Sequence, residues 1–173
     1  MKLRGLFVPV GLILAVAATR LLPHPPNFTP VMSVALFGSA VFVNRFAGIG
    51  VAIAAMAVSN LILGSHSTWA FVYGAMVLTG ILGFMLREKR SPLKIAAVSF
   101  AGSVVFFLIS NLGVFIVQDL YPKTAAGLVA CYTMALPFFK NTLAGDFLFT
   151  GVLFLAHYLL TRGSEEHKLA KAA

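Results

Sequence analysis

Charge is scarce in this sequence, and acid is scarcer still. Only 10% of its residues are charged, and just five of 173 are Asp or Glu, where a soluble domain carries about 25% charged residues. Hydrophobic residues make up 60%. No single core in a chain of this length hides so much apolar surface from water, so the surplus is expected to face lipid. Cysteine is nearly missing as well: Cys131 stands alone, which excludes an internal disulfide and a cysteine-based zinc site. Absent too are a Gly-x-x-x-x-Gly-Lys-Ser/Thr loop, His-Glu-x-x-His and Gly-x-Ser-x-Gly. The chain thus has no P-loop of its own and no metalloprotease or serine-hydrolase signature, and neither a cofactor nor a metal site is expected. Net charge is +8, which in a soluble protein points to nucleic acid. Here the basic residues fall between apolar runs, so they read as topology signals and not as a nucleic-acid surface.

Apolar runs are what the sequence does have. They cover about 5–22, 28–43, 46–63, 69–86, 95–117 and 141–161. The expected fold is an all-α membrane protein: one domain over 1–173, a bundle of about six transmembrane helices. After the first run, Pro23-His24-Pro25-Pro26-Asn27-Phe28-Thr29-Pro30 places four prolines in eight residues and forbids a continuing helix. The core of the second run, 31–43, has 13 residues, short of the roughly 20 that span a bilayer, so it must borrow 28–30. Segment 124–139 is apolar, holds Pro137 and joins the last run through Lys140-Asn141 alone. Two antiparallel spans cannot turn in so few residues, so 124–139 is expected as an interfacial or re-entrant helix, a seventh span being the alternative. The N-terminal run also has the build of a signal peptide, with Lys2 and Arg4 before an apolar stretch and Ala15-Val16-Ala17-Ala18. Five further apolar runs favour reading it as a retained span.

Six spans with both termini cytoplasmic put ten basic residues inside: Lys2, Arg4, Arg45, Arg87, Lys89, Arg90, Lys94, Arg162, Lys168 and Lys171. Only Arg20, Lys123 and Lys140 fall outside. That bias supports both parity and direction.

With that orientation the unusual polar residues gather at the outer side. Arg20, His24 and Asn27 close the first helix and its loop, and Asn60, His66, Trp69 and Tyr73 surround the next outer loop. Asn111, Tyr132, Asn141 and Asp146 complete the set. Thr142, Asp146 and Thr150 recur at i, i+4 and i+8, a polar stripe on one helix face. An ionisable group within a span is costly and marks a functional candidate. The plainer readings are that Asp146 pairs with Arg20 or Lys140, that Asn60 and Asn111 bond between helices, and that Trp69 and Tyr73 are interfacial aromatics. Small residues form stripes too: Gly11, Ala15 and Thr19 on the first helix; Gly48, Ala52, Ala55 and Ser59 on the third; Ser99, Ser103 and Ser110 on the fifth. These serve packing within the bundle or docking of partner helices.

The stretch Arg20-Leu-Leu-Pro-His-Pro-Pro-Asn-Phe-Thr-Pro-Val31, Leu63-Gly-Ser-His66, Ser110-Asn-Leu-Gly-Val114 and Ala135-Leu-Pro-Phe-Phe-Lys-Asn-Thr-Leu-Ala-Gly-Asp146 resembles an uncharacterised bacterial family of membrane transport proteins. Members of that family often have Asp where Asn60 stands. The family in turn looks like the substrate-binding (S) components of energy-coupling factor transporters. That resemblance implies a six-helix bundle holding a vitamin-like solute near its outer face. It implies a transmembrane scaffold and two ATPases as partners, and docking to the scaffold through Gly11, Ala15 and Thr19. Cobalt and nickel versions begin Met-His; this chain begins Met1-Lys2.

The leading expectation is therefore a substrate-binding membrane subunit for a small micronutrient-like solute. The ligand contacts would come from Arg20, His24, Asn27, Asn60, His66, Trp69, Tyr73, Asn111, Tyr132, Asn141 and Asp146. Alternatives are an intramembrane hydrolase using Asp119 and Asp146, and a small structural membrane protein without ligand.

Overall fold

The computed structural model describes the backbone of residues 4–172 and the side chains of 10–162. Among the described residues it is all helical, with no strand: α1 (Arg4–Leu21), α2 (Val31–Val41), α3 (Ala47–Leu63), α4 (Trp69–Gly83), α5 (Pro92–Val117) and α6 (Ala125–Ala172). A single 3-10 turn, Phe84–Leu86, extends α4. Three helices are long and apolar enough to cross a membrane: α4 with its 3-10 turn, α5, and α6 over Ala125–Arg162. The side chains of Lys2, Arg4, Lys168 and Lys171, four of the basic residues counted for orientation, lie outside the described residues.

The shortest helix sits at the centre. α2 packs against α3, α4, α5 and α6, and every residue from Val31 to Ala40 is buried. Its 11 residues reach about 16 Å at ~1.5 Å each, roughly half of a ~30 Å hydrocarbon layer. A helix that ends inside a bundle leaves its last carbonyls without partners. Two arginines from the segment after α4 supply them. Arg87 donates from Nη1 to the carbonyls of Ser39 (2.9 Å) and Phe42 (3.0 Å) and from Nη2 to that of Val43 (3.4 Å). Arg90 Nη2 donates to the Ala40 carbonyl at 2.9 Å. Both cations also lie at the negative end of the α2 dipole.

α2 and α3 cross at Gly38 and Gly48. A Cβ on Gly48 would collide with the backbone nitrogen of Ser39 and the backbone of Gly38, so only glycine permits this approach. The small-residue face of α3 is the packed one, with Gly48, Ala52, Ala55 and Ser59 all buried. α1 is peripheral and packs on α3, with Val16 and Ala17 turned inward. Gly11 and Ala15 are therefore on its exposed side, and nothing lies within 4 Å of where a Cβ on Gly11 would stand.

One expectation is corrected. The expected break between segments 124–139 and 141–161 is absent: both belong to one 48-residue helix, α6. Lys140-Asn141 is no turn because the chain does not reverse there. Pro137 lies inside the helix, where it removes a single N–H from the ladder. Thr142 Oγ1 bonds back to the Phe138 carbonyl at 3.1 Å, within the same helix.

Candidate functional site

Where α1, α3 and α5 end and α2 and α4 begin, the helices part around a cavity of about 440 Å³. Its polar lining includes Arg20, His24, Asn27, His66, Asn111, Thr142 and Asp146. The apolar wall holds Met32, Met56, Val72, Phe106, Phe107, Phe138 and Phe139. Phe107 and Phe139 stack at 4.6 Å between centroids with a 38° tilt.

Arg20 enters from the last turn of α1. Its Nη1 donates to the Met56 carbonyl at 3.3 Å, to Asn60 Oδ1 at 3.0 Å and to the Ser59 hydroxyl. Every one of these partners is neutral. Asn60 is thus one layer behind the cavity, with its Nδ2 3.4 Å from the Tyr73 hydroxyl. Tyr73 in turn packs edge-on against Trp69 at 6.2 Å.

Asp146 enters from α6 and is only 4% exposed. Its Oδ2 accepts from the Ser103 hydroxyl at 2.6 Å. Among the described residues no ion pair joins it to Arg20 or to Lys140, so the pairing of the plainer reading is not made. Instead Asp146 belongs to a seam of buried hydroxyls. Ser33 donates to its main-chain carbonyl at 3.2 Å. Thr150 Oγ1 donates to Ser33 Oγ at 3.1 Å, and Ser99 Oγ donates to Thr150 Oγ1 at 3.4 Å. The polar stripe Thr142–Asp146–Thr150 is buried throughout.

The loop between α1 and α2 forms one wall. Asn27 takes up the left-handed backbone region, with φ of 64°, a conformation that Asn tolerates better than most residues. The loop is fixed to α6 beside Asp146. Asn141 Nδ2 donates to the Pro26 carbonyl at 3.1 Å, and Phe28 meets Phe149 at 5.4 Å. His24 Nδ1 lies 2.6 Å from the Leu22 carbonyl. Opposite, His66 Nδ1 is 2.9 Å from Thr68 Oγ1. Burial, and then the Arg20 cation, push the His66 imidazole below its usual range.

The structure thus brings Arg20, His24, Asn27, His66, Asn111 and Asp146 to one cavity. Asn60 and Asn141 support its walls, as described. Asn111 also bonds within its own helix, from Nδ2 to the Phe107 carbonyl at 2.8 Å. Trp69, Tyr73 and Tyr132 are not among the lining residues; Tyr132 donates to the Leu108 carbonyl at 2.7 Å, behind Phe107. Ser103 and the phenylalanine wall were not singled out for this site in the sequence. Their signal was present in the pairs Phe106-Phe107 and Phe138-Phe139 and in a serine four residues after Ser99. Asp119 lies elsewhere, fully exposed, 3.8 Å from Lys123.

Over residues 2–169 the chain matches the model of a family of unknown function, DUF6580, and it belongs to that family. No curated protein and no solved structure matches it.

Proposed function

We propose that this DUF6580 member is a multi-pass protein of the bacterial cytoplasmic membrane whose cavity binds a small polar solute for uptake. In this reading six helices cross or enter the bilayer with both termini cytoplasmic, and the cavity faces outward. The protein is the substrate-binding subunit, and a transmembrane scaffold with two ATPases supplies the energy. The exposed Gly11–Ala15 flank of α1 offers close approach to such a scaffold.

One observation carries the binding reading. Arg20 and Asp146 line the same cavity, and neither meets a counter-charge among the described residues. Ionisable groups of opposite charge that are drawn out of water with only neutral hydrogen-bond partners are costly unless a counter-charge completes them. A zwitterion does so: its carboxylate pairs with Arg20 and its ammonium with Asp146. The apolar or aromatic part of the solute then lies on Phe107 and Phe139.

A two-aspartate hydrolase has less support, because Asp119 is on the surface beside Lys123 and does not line the cavity. A structural protein without ligand leaves the cavity and its two charges without a role.

Native mass spectrometry of the protein gently extracted from its host membrane tests the proposal. The expected result is a co-bound small molecule that is lost in Asp146→Asn while the melting temperature holds. If Asp146→Asn unfolds the bundle, the carboxylate is structural. A bound molecule retained undiminished by a folded Asp146→Asn protein would rule out this binding mode.

A further inference from the structure

The opposite end of the molecule holds a second hollow. It is a groove of about 560 Å³ between the first turns of α5 and the second half of α6. Its lining includes Ile95, Ala96, Gly151 and Leu155, with Arg90 and His157 at one end. Nothing lies within 4 Å of where a Cβ on Gly151 would stand, so the glycine keeps the groove deep. Leu155 is 57% exposed, and the groove opens on the flank of two helices that are long and apolar enough to cross a membrane. In a bilayer such a groove faces acyl chains.

Its mouth is basic. Arg90 is exposed, and among the described residues its contacts are neutral: Nε donates to the Leu86 carbonyl at 2.9 Å, Nη2 to that of Ala40 at 2.9 Å, and Nη1 lies 3.4 Å from His157 Nε2. A guanidinium has five N–H groups, so donors remain for an anion. Arg87, Lys89 and Lys94 lie on the same segment, with only Glu88 against them. A basic opening beside an apolar groove between helices suits a phospholipid that carries net negative charge.

We propose that this groove is a binding site for an anionic glycerophospholipid, with one acyl chain along Gly151 and its phosphate at Arg90. The inference needs the helices to lie in a bilayer, but it is independent of what fills the solute cavity.

The test uses the full chain in a non-ionic detergent. Native mass spectrometry compares retention of phosphatidylglycerol, of phosphatidylcholine with the same chains, and of soluble glycerol 3-phosphate. Phosphatidylglycerol should be retained at least about five-fold more than phosphatidylcholine, the ratio that one nearby basic residue supplies. Glycerol 3-phosphate should not be retained. Gly151→Phe fills the groove and should abolish retention of both lipids while the protein keeps its melting temperature. Because Arg90 also caps α2, the charge is tested by Lys94→Gln alongside Arg90→Gln, and each should narrow the preference. Equal retention of the two lipids, or undiminished phosphatidylglycerol on a folded Gly151→Phe protein, overturns the proposal. So does binding of glycerol 3-phosphate as tight as that of the lipid. A dimer that Gly151→Phe dissolves, with no lipid retained by the wild type, assigns the groove to a second copy and also overturns it.

Discussion

Asp146 is held where a carboxylate is expensive, with one hydroxyl donating to it and almost no exposure. Replacing it with asparagine removes the charge that has to be desolvated. The solute-free protein should therefore be as stable or more so, as thermal melting in detergent would register. Binding of a cationic group should weaken about ten- to hundred-fold, the value of a charge-assisted hydrogen bond of ~1.5–3 kcal/mol. That combination, stability kept and affinity lost, is how a functional charge differs from a structural one. His66 gives a pH signature. Burial and Arg20 disfavour its cation, so in acid the unfolded chain takes up this proton before the folded protein does. The contribution of His66 to stability is complete above the usual imidazole range near ~6.5. It is lost as pH falls below that and through the depressed folded value. A His66→Asn variant should show a shallower fall in melting temperature between neutral pH and about pH 5, measured by differential scanning fluorimetry.

At the scale of the element, α2 and α6 depart most from simple spans. α2 is too short to cross alone, and its far end depends on side chains from another segment. Arg87→Met leaves the carbonyls of Ser39, Phe42 and Val43 without their donors. It should cost about 1–3 kcal/mol per carbonyl left buried and unpaired, seen as a lower melting temperature with the Arg20–Asp146 cavity at the other end still formed. α6 continues past Pro137 without a break. Alanine there restores a helix donor, so Pro137→Ala should stabilise by up to ~3 kcal/mol.

For the whole molecule, the arrangement of its two ends is the testable quantity. Ser65 lies in the loop beside the cavity of Arg20 and Asp146, and Lys89 in the basic segment at the opposite end. Native Cys131 is 2% exposed, which leaves a quiet background for labelling. In intact cells a membrane-impermeant maleimide should modify Ser65→Cys and spare Lys89→Cys until the membrane is opened. The reverse pattern would turn the proposed orientation over.

The sequence by itself determined the properties that add up residue by residue. Its hydropathy put most of the chain into apolar helices, and the prolines at 23–30 and the cluster after Leu86 set where helices stop. It also drew Arg20, His24, Asn27, His66, Asn111 and Asp146 to one end, because alternating helices return their ends to the same side. What only the tertiary structure decided was the rotation of each helix and the meeting of residues far apart in the chain. Arg20 found Ser59 and Asn60, while Asp146 found Ser103 in place of a cation. Tyr132 turned to the Leu108 carbonyl, and two arginines read as topology signals became the cap of α2. The reason is physical. Hydropathy and backbone breaks are local, whereas the face that a helix turns inward is fixed by close packing at points such as Gly38 against Gly48, which depend on every helix at once.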